Sequence, residues 1–279
     1  MKLITLNTHS LIEPDYEKKL RIFAELVKKE KPDIIALQEV NQTMASSPVK
    51  EPEQTGFVSC PDCAGPVRED NHGLNLARLL KEEGLDYCWT WAPAKVGYDI
   101  YEEGLAVFSR RPAEAAEQFY ISESRSFSNW KTRKTVGIRV GGQWFYTVHM
   151  GWWGDEEEPF DRQWDRVRDH LETRLNGGET VWIMGDFNSP SDRAQEGYDY
   201  VKDSGWLDTY ELAGEKDQGI TVGHVIDGWR EEGKQQTGMR IDYIWCSRKA
   251  SVQSSKVICN DTNYPVVSDH YGVMITTES

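Results

Sequence analysis

The chain has 279 residues and a formal net charge of −14, because 46 acidic residues outnumber 32 basic ones. Proteins that bind the backbone of duplex nucleic acid are usually basic, so this charge disfavours duplex DNA or RNA as a partner. Hydrophobic residues make up 38% of the chain. No apolar run approaches the roughly 20 residues that cross a bilayer, so we expect no membrane span.

The first strand follows Met1 almost directly and is too short and too quickly polar to be a signal peptide. The five cysteines are an odd number, which is typical of reduced thiols and not of a disulfide framework. Cys60 and Cys63 form a lone CxxC without a second pair of ligands at zinc spacing, so a zinc site is disfavoured. We therefore expect a cytoplasmic protein.

Strands and helices alternate in the first part of the chain. Residues 3–6 predict a strand, residues 15–31 an amphipathic helix, and residues 34–37 a second buried strand. Residues 41–71 have no clear periodicity, which indicates a long loop insertion. A helix is predicted at 75–84 and strands at 87–92 and 104–109.

The second part of the chain is richer in strands. Residues 135–140 and 144–148 predict a hairpin around two glycines, and residues 160–175 a helix. A buried strand at 181–184 is followed by a helix at 195–204, a loop at 219–238, and strands at 240–245, 251–259 and 272–276. No repeat or linker interrupts the pattern, so we predict one domain over residues 1–279, with two packed sheets between helices.

Many predicted strands end next to polar residues that are suited to chemistry. Because strand ends converge at one edge of packed sheets, these residues predict a shared site: Asn7, Glu39, Glu103, His149, Asp186, Asn188, Asp242, Asp269 and His270. The oxygen ligands of Asn7, Glu39 and Asp269 suit Mg²⁺ or Mn²⁺ and not zinc. A histidine oriented by a carboxylate, His270 with Asp242, is suited to acid-base work near neutral pH.

Two further side chains can stabilise charge that develops on a phosphoryl group. His149 and Asn188 are able to donate hydrogen bonds to transition-state oxygens. A metal bound beside them would polarise the phosphoryl oxygens. The set therefore predicts hydrolysis of a phosphate ester.

The order of these motifs resembles the endonuclease/exonuclease/phosphatase superfamily. The matching segments are LNTHS at 6–10, QEV at 38–40, EGLAVFSR at 103–110, VHMG at 148–151, GDFNS at 185–189, RIDYIW at 240–245 and SDH at 268–270. The resemblance spans nearly the whole chain. It implies the DNase I-like fold, an α/β four-layer sandwich in which two packed, mainly antiparallel sheets are flanked by helices.

The resemblance also implies roles for individual residues. Glu39 would be the principal metal ligand, with Asn7 and Asp269 nearby. Asp186 would align or deprotonate the attacking water, with Asn188 as its orienting neighbour. The other catalytic residues would be His149 and the pair His270 and Asp242. A histidine at 149 matches the DNase I-like and sphingomyelinase-like members and several phosphatases, whereas abasic-site endonucleases carry a tyrosine in that region.

Loop segments resemble the bacterial maltose 6'-phosphate phosphatases of the same superfamily: QEVNQ at 38–42, GYDIYEEGLAV at 97–107, NWKTRK at 129–134, the HxxWW pattern from residue 149, and IDGW at 226–229. This resemblance implies a small phosphorylated sugar as substrate and a role in carbohydrate metabolism. The substrate-binding residues would be Glu103, Arg133, Lys134, Trp152 and Trp153, with tryptophan stacking on sugar and a cation at the phosphate. Adjacent residues of an extended segment face opposite ways, so at most one of the two tryptophans is expected to line the site.

Two alternatives remain at this point. One is a phosphodiesterase, either a nuclease or a sphingomyelinase-like enzyme. The other is a non-catalytic binding module that has kept the fold, against which the intact set of acidic residues and histidines argues.

Overall fold

A computed structural model of the chain describes residues 1–63, 65–224, 226, 229 and 238–278. Asp227 and Gly228 of the IDGW segment lie outside the described residues, as does much of the predicted loop at 219–238.

The described residues contain two β-sheets and five α-helices, in the chain order β1 (Lys2–Asn7), α1 (Tyr16–Glu30), β2 (Ile34–Thr43), α2 (His72–Glu82), β3 (Cys88–Gly97), β4 (Tyr101–Ser109), β5 (Ala115–Tyr120), β6 (Lys134–Val140), β7 (Gln143–His149), α3 (Phe160–Asn176), β8 (Val181–Asp186), α4 (Gly197–Asp203), β9 (Leu207–Asp208), α5 (Thr209–Leu212), β10 (Glu215–Lys216), β11 (Asp242–Cys246), β12 (Val252–Ile258) and β13 (Gly272–Thr277). One sheet has seven strands in the order β10-β12-β13-β1-β2-β4-β3. The other has six strands in the order β5-β6-β7-β8-β11-β9.

The two sheets pack face to face, and helices cover their outer faces. Alternate residues of each strand point to opposite sides, so Leu3 and Ala36 meet Phe145 and Met184 between the sheets. The other faces carry larger side chains that pack against helices, such as Trp89 beneath α2. Full burial of a Leu, Phe or Met side chain stabilises the fold by roughly 1.5–3 kcal/mol relative to leaving it exposed. The predicted fold class, a four-layer α/β sandwich, is confirmed.

Strand pairing brings the predicted polar residues to one edge. β1 runs parallel to β2 and β7 runs parallel to β8, so their carboxyl ends lie together. In register, His149 is the partner of Asp186, and Asp186 is also the partner of Asp242 on antiparallel β11. Antiparallel β4 enters at the same edge, where Glu103 pairs with Asn41.

Some elements differ from the predicted ones. β2 continues to Thr43, well beyond the predicted end at residue 37, because a β-bulge lets it resume pairing with β4. β5 has no predicted counterpart. Between Thr43 and α2 the described chain forms a 3-10 turn at Pro52–Thr55 and isolated bridges such as the one that joins Pro48 to Arg68.

Two further observations concern the length of the helices and the state of the cysteines. Within the described ranges, no helix combines the length and apolar character needed to traverse a bilayer. All five cysteines have free thiols.

Candidate active site

The turn after β8 presents Asp186 and Asn188 to one cleft. The Asp186 carboxylate accepts the Asn188 backbone N–H through Oδ1 (2.8 Å) and the Asn7 amide through Oδ2 (3.1 Å). Asn188 adopts a left-handed backbone with φ of 45°, and its amide donates to the Met150 carbonyl (2.9 Å). Phe187 points back into the core, where its ring packs on aromatic neighbours. The turn thus holds a carboxylate and an amide side by side.

A β-bulge aims Glu39 at the same cleft. The register of β2 against β4 shifts between Leu37 and Val40, and Glu39 has a φ of 52°. Such left-handed conformations cost a non-glycine residue free energy and are concentrated at functional sites. The Asn7 amide nitrogen lies 2.9 Å from Glu39 Oε1. Asn7 therefore links Glu39 to Asp186 across the two sheets.

His270 is positioned by Asp242 and faces Asp186. Its Nδ1 lies 3.1 Å from Asp242 Oδ2, and its Nε2 lies 3.7 Å from Asp186 Oδ2. Burial opposes the charged imidazolium, but the charges of Asp242 and Asp186 outweigh it and raise the pKa of His270 to about 10. His270 is therefore protonated at neutral pH, with one N–H held by Asp242 and the other side of the ring turned to Asp186.

His149 stands between the acidic residues of both sheets. Its Nδ1 lies 3.9 Å from Glu103 Oε1 and 4.0 Å from Glu39 Oε1, and its Nε2 lies 3.7 Å from Asp186 Oδ2. Burial and the neighbouring cations, Arg133 above all, hold the pKa of His149 well below its ordinary value. The neutral ring can donate from one nitrogen and accept at the other.

The carboxylates around Glu39 fit a hard divalent cation. Burial and the negative charges of Glu103 and Asp269 raise the pKa of Glu39 to about 7. A bound cation would favour the ionised form, and oxygen donors of this kind are those that Mg²⁺ prefers. Asn7 turns its nitrogen to the carboxylates, while its Oδ1 accepts the His9 backbone N–H (3.3 Å). In this structure the Asn7 nitrogen, and not its oxygen, faces the Glu39 carboxylate.

In the described part of the chain, two groups of side chains bring possible ligand atoms within 4.8 Å of one another. One comprises Asp186, Asp242 and His270, and the other comprises His9, Glu13 and Asp269. Glu13 joins the second group because it binds the His9 ring (2.7 Å) and the Asp269 backbone N–H (3.1 Å).

The cleft has a volume of about 620 Å³, a size that accommodates a small organic ligand. Asn7 and Asp242 lie behind it and support residues that line it. Its lining includes His9, Glu39, Lys95, Tyr98, Glu103, Trp130, Arg133, His149, Trp152, Asp186, Asn188, Asp269 and His270.

Several lining residues were not among the predicted site residues, and three of them are Lys95, Trp130 and His9. Lys95 is buried in β3, and its Nζ lies 3.2 Å from Glu103 Oε1. Trp130 is 53% exposed, and its ring lies 6.0 Å from that of Trp152. His9 also lines the cleft. Because β3 has a bulge next to Lys95, the alternation of side chains along the strand does not predict which way Lys95 points. Trp130 belongs to the NWKTRK segment at 129–134, and its place beside Lys131 and Arg133 was a signal in the sequence.

The structure does not bring Lys134 or Trp153 to the cleft. Lys134 follows Arg133 and faces the other way, so its Nζ donates to Gln118 (2.9 Å) and lies 4.4 Å from the centre of the Tyr120 ring. Trp153 packs beside Phe160 and Tyr200. In both pairs, backbone alternation turns one neighbour towards the cleft and the other away from it.

The chain belongs to the Endonuclease/Exonuclease/phosphatase family, whose sequence profile it matches over residues 4–270. Members of this family hydrolyse phosphoester bonds and include phosphatases and nucleases. No curated protein matches the chain.

Several solved structures share the fold. An endonuclease/exonuclease/phosphatase family protein from Leptotrichia buccalis is 29% identical, with a TM-score of 0.84 and 100% coverage of both chains. A mannosyl-6-phosphatase from Bacteroides thetaiotaomicron is 17% identical, with a TM-score of 0.68 and 100% coverage of both chains. A 3' phosphatase from Neisseria, bound to a product DNA hairpin, is 16% identical, with a TM-score of 0.62 and 100% coverage of both chains.

Proposed function

We propose that this protein is a phosphomonoesterase that uses Mg²⁺ or Mn²⁺ to hydrolyse a small phosphorylated sugar such as maltose 6'-phosphate. The observation that carries the proposal is the composition of the cleft. Carboxylates and histidines suited to phosphoester hydrolysis share about 620 Å³ with two cations and two tryptophans. We also place the protein in the cytoplasm, which its five free thiols support.

Glu39 would hold the metal ion, with Asp269 beside it and Asn7 supporting it. When bound, the ion would polarise the phosphoryl oxygens and stabilise the leaving oxygen. The donor set fits this role because its charged members are carboxylates, and because burial beside other carboxylates disfavours the ionised form of Glu39 in the absence of a counter-charge.

The protein's own groups supply the proton chemistry. Asp186, held by the Asn188 backbone N–H and the Asn7 amide, is the carboxylate that orients the attacking water. His270 carries a proton at neutral pH and is held by Asp242, so its Nε2 can donate to a phosphoryl or leaving oxygen. Neutral His149 can donate a second hydrogen bond to a phosphoryl oxygen.

The aromatic wall suits a sugar. The rings of Trp130 and Trp152 meet at an angle of 57° on the rim of the cleft, where they offer flat apolar faces to a pyranose ring. The cleft volume is appropriate for a disaccharide phosphate and not for a duplex. The sugar phosphatase among the structural neighbours is consistent with this assignment.

A substrate screen tests the proposal. The full chain is assayed for phosphate release from maltose 6'-phosphate, other sugar phosphates and p-nitrophenyl phosphate, and for cleavage of a lipid-headgroup diester, bis(p-nitrophenyl) phosphate and DNA. Each assay is run with Mg²⁺, with Mn²⁺ and with EDTA. We expect monoester hydrolysis that EDTA abolishes and added Mg²⁺ restores. Preferred cleavage of a diester would indicate a phosphodiesterase, and no metal-dependent turnover of any ester would indicate a binding module.

A further inference from the structure

Two buried cations line the cleft beside Glu103. The Lys95 side chain is 9% exposed, and Arg133 as a whole is 3% exposed. Both border the same cavity as Glu39 and His149. Removing a charged group from water costs free energy unless a partner compensates the charge. The partners of Lys95 and Arg133 therefore indicate which kind of ligand this part of the cleft can bind.

Among the described residues, only one of the two cations has a carboxylate in direct contact. Lys95 pairs with Glu103 at 3.2 Å. Arg133 donates through Nη1 to the Trp130 carbonyl (3.1 Å), but among the described residues no carboxylate lies within 4.0 Å of its guanidinium. Its Nε is buried and has no hydrogen-bond partner in the described part of the chain. Two cations and one directly paired anion leave one positive charge with unused donors.

The two cations also lie close enough to affect each other. Burial, and then the positive charge of Arg133, lower the pKa of Lys95 from its ordinary value. An anion placed between the two groups would relieve this repulsion and supply acceptors for the free guanidinium donors.

The number of charges distinguishes two classes of ester. A phosphomonoester carries close to two negative charges at pH 7, because its second pKa is about 6, whereas a phosphodiester carries one. An arginine fork matches two phosphate oxygens and a lysine supplies a compact charge. Lys95 and Arg133 therefore complement the doubly charged terminal phosphate of a monoester better than the singly charged bridging phosphate of a diester.

We propose that Lys95 and Arg133 form a subsite for the non-bridging oxygens of a terminal phosphate, and that this subsite selects phosphomonoesters over phosphodiesters. The inference rests on the proposed function and identifies the residues that would set its substrate class. The bond between Arg133 and the Trp130 carbonyl places this subsite directly beside the two tryptophans, so phosphate and sugar would bind to adjoining parts of one cleft.

Three single variants test the subsite by turnover. Lys95→Met and Arg133→Gln each remove one charge at similar side-chain length, and Lys134→Met is the matched control. Lys134 is equally buried and directly follows Arg133, but its ammonium binds Gln118 outside the cleft. We expect kcat/KM for p-nitrophenyl phosphate to fall about 30- to 100-fold in the two cleft variants, and that for bis(p-nitrophenyl) phosphate to change less than about 3-fold. The control should keep the parent ratio, and Arg133→Lys should recover part of the loss.

Binding of inorganic phosphate tests the subsite without turnover. Calorimetric titration of the full chain in Mg²⁺ should give a dissociation constant about 10-fold or more higher in Lys95→Met and Arg133→Gln than in the parent and in Lys134→Met. Unchanged phosphate affinity, or equal losses of monoester and diester turnover, would overturn the subsite in a protein that is still a monoesterase. A parent that prefers diesters would instead overturn the proposed function, whatever its affinity for phosphate.

Discussion

Two residues that present central side chains of the cleft have a strained backbone conformation. Glu39 and Asn188 both have positive φ values, 52° and 45°. Each such conformation costs on the order of 1 kcal/mol or more in a residue with a side chain. The surrounding pairs stabilise it, since Asn7 holds the Glu39 carboxylate and Met150 holds the Asn188 amide. These hydrogen bonds thus hold the strained backbone at Glu39 and Asn188 and keep both side chains directed at the cleft.

At this scale we predict the effect of Asp186→Asn. The amide keeps the size of the side chain but cannot serve as the carboxylate that orients water, so kcat should fall about 10²- to 10⁴-fold. Stability should be retained, because burial already raises the pKa of Asp186, to about 6, and so disfavours its charge. Steady-state kinetics and thermal denaturation check the two expectations.

The matched control is Asp192→Asn, a substitution of the same kind at an exposed residue of the following turn. It should leave turnover at the parent level. Near-normal hydrolysis by Asp186→Asn would remove Asp186 from the mechanism.

At the scale of elements, the close contact between β7 and β8 depends on Gly185. Its φ is 146°, and a Cβ built there would lie 2.0 Å from the Val148 carbonyl oxygen. The two strands run parallel and deliver His149 and Asp186 to the cleft, so this contact fixes the spacing of the site.

We predict that Gly185→Ala destabilises the fold by about 2–4 kcal/mol, because the methyl group meets backbone and not a movable side chain. Chemical denaturation measures the change. Gly154→Ala is the control, since a Cβ there meets no atom within 4 Å and the residue has no positive φ. Equal stability of the two variants would show that the strands can separate without cost.

Glu117 on β5 joins the second sheet to α3. It accepts hydrogen bonds from the Tyr146 hydroxyl (2.6 Å) and from Arg174 (2.7 Å), and the His170 ring lies 3.3 Å away. Burial opposes ionisation, but the hydrogen bonds from His170 and Tyr146 and the charge of Arg174 hold the pKa of Glu117 below its ordinary value. The carboxylate therefore contributes stability above its unfolded-state pKa, and this contribution is lost as pH falls through the lower folded-state pKa.

We predict that Glu117→Gln is less stable than the parent at neutral pH and that the difference narrows as pH falls below about 4.5. Free energies of unfolding measured across the acid range test this. Glu172→Gln, at an exposed position of α3, should follow the parent curve. A difference between Glu117→Gln and the parent that does not depend on pH would assign the effect to packing.

At the scale of the whole molecule, a strongly acidic protein carries a small cationic wall inside one cleft. The net charge of −14 repels a polyanion over a wide surface, while Lys95 and Arg133 act only on a group that enters the cavity. This arrangement favours a small anionic substrate over a long one.

We therefore predict that duplex DNA does not bind saturably at micromolar protein and physiological salt. Fluorescence anisotropy with a labelled duplex measures this, and the same duplex with a terminal 3'-phosphate is the control. Tight, salt-dependent binding of the unmodified duplex would contradict the prediction. Binding of only the phosphorylated form would favour a nucleic-acid phosphatase, the activity named for one structural neighbour.

Much of the architecture could be predicted from local patterns. Apolar runs of strand length and one-sided helices place most elements within a few residues of their observed bounds, because burial imposes these periods wherever the chain folds. β5 and the second half of β2 could not be predicted this way. β5 is half-buried throughout, and β2 resumes pairing only after a bulge that depends on its neighbour β4.

The sequence by itself identified most of the polar residues that line the cleft, and from the order of their motifs the family and the fold class. It could do so because a polar side chain that interrupts a buried strand is visible in one dimension. Only the tertiary structure decided which neighbour faces the cleft: Arg133 and not Lys134, Trp152 and not Trp153. It also brought Lys95 to Glu103. Which face of a strand points to the cleft is set by the neighbouring elements it packs against. The sequence pattern of one segment does not show those neighbours.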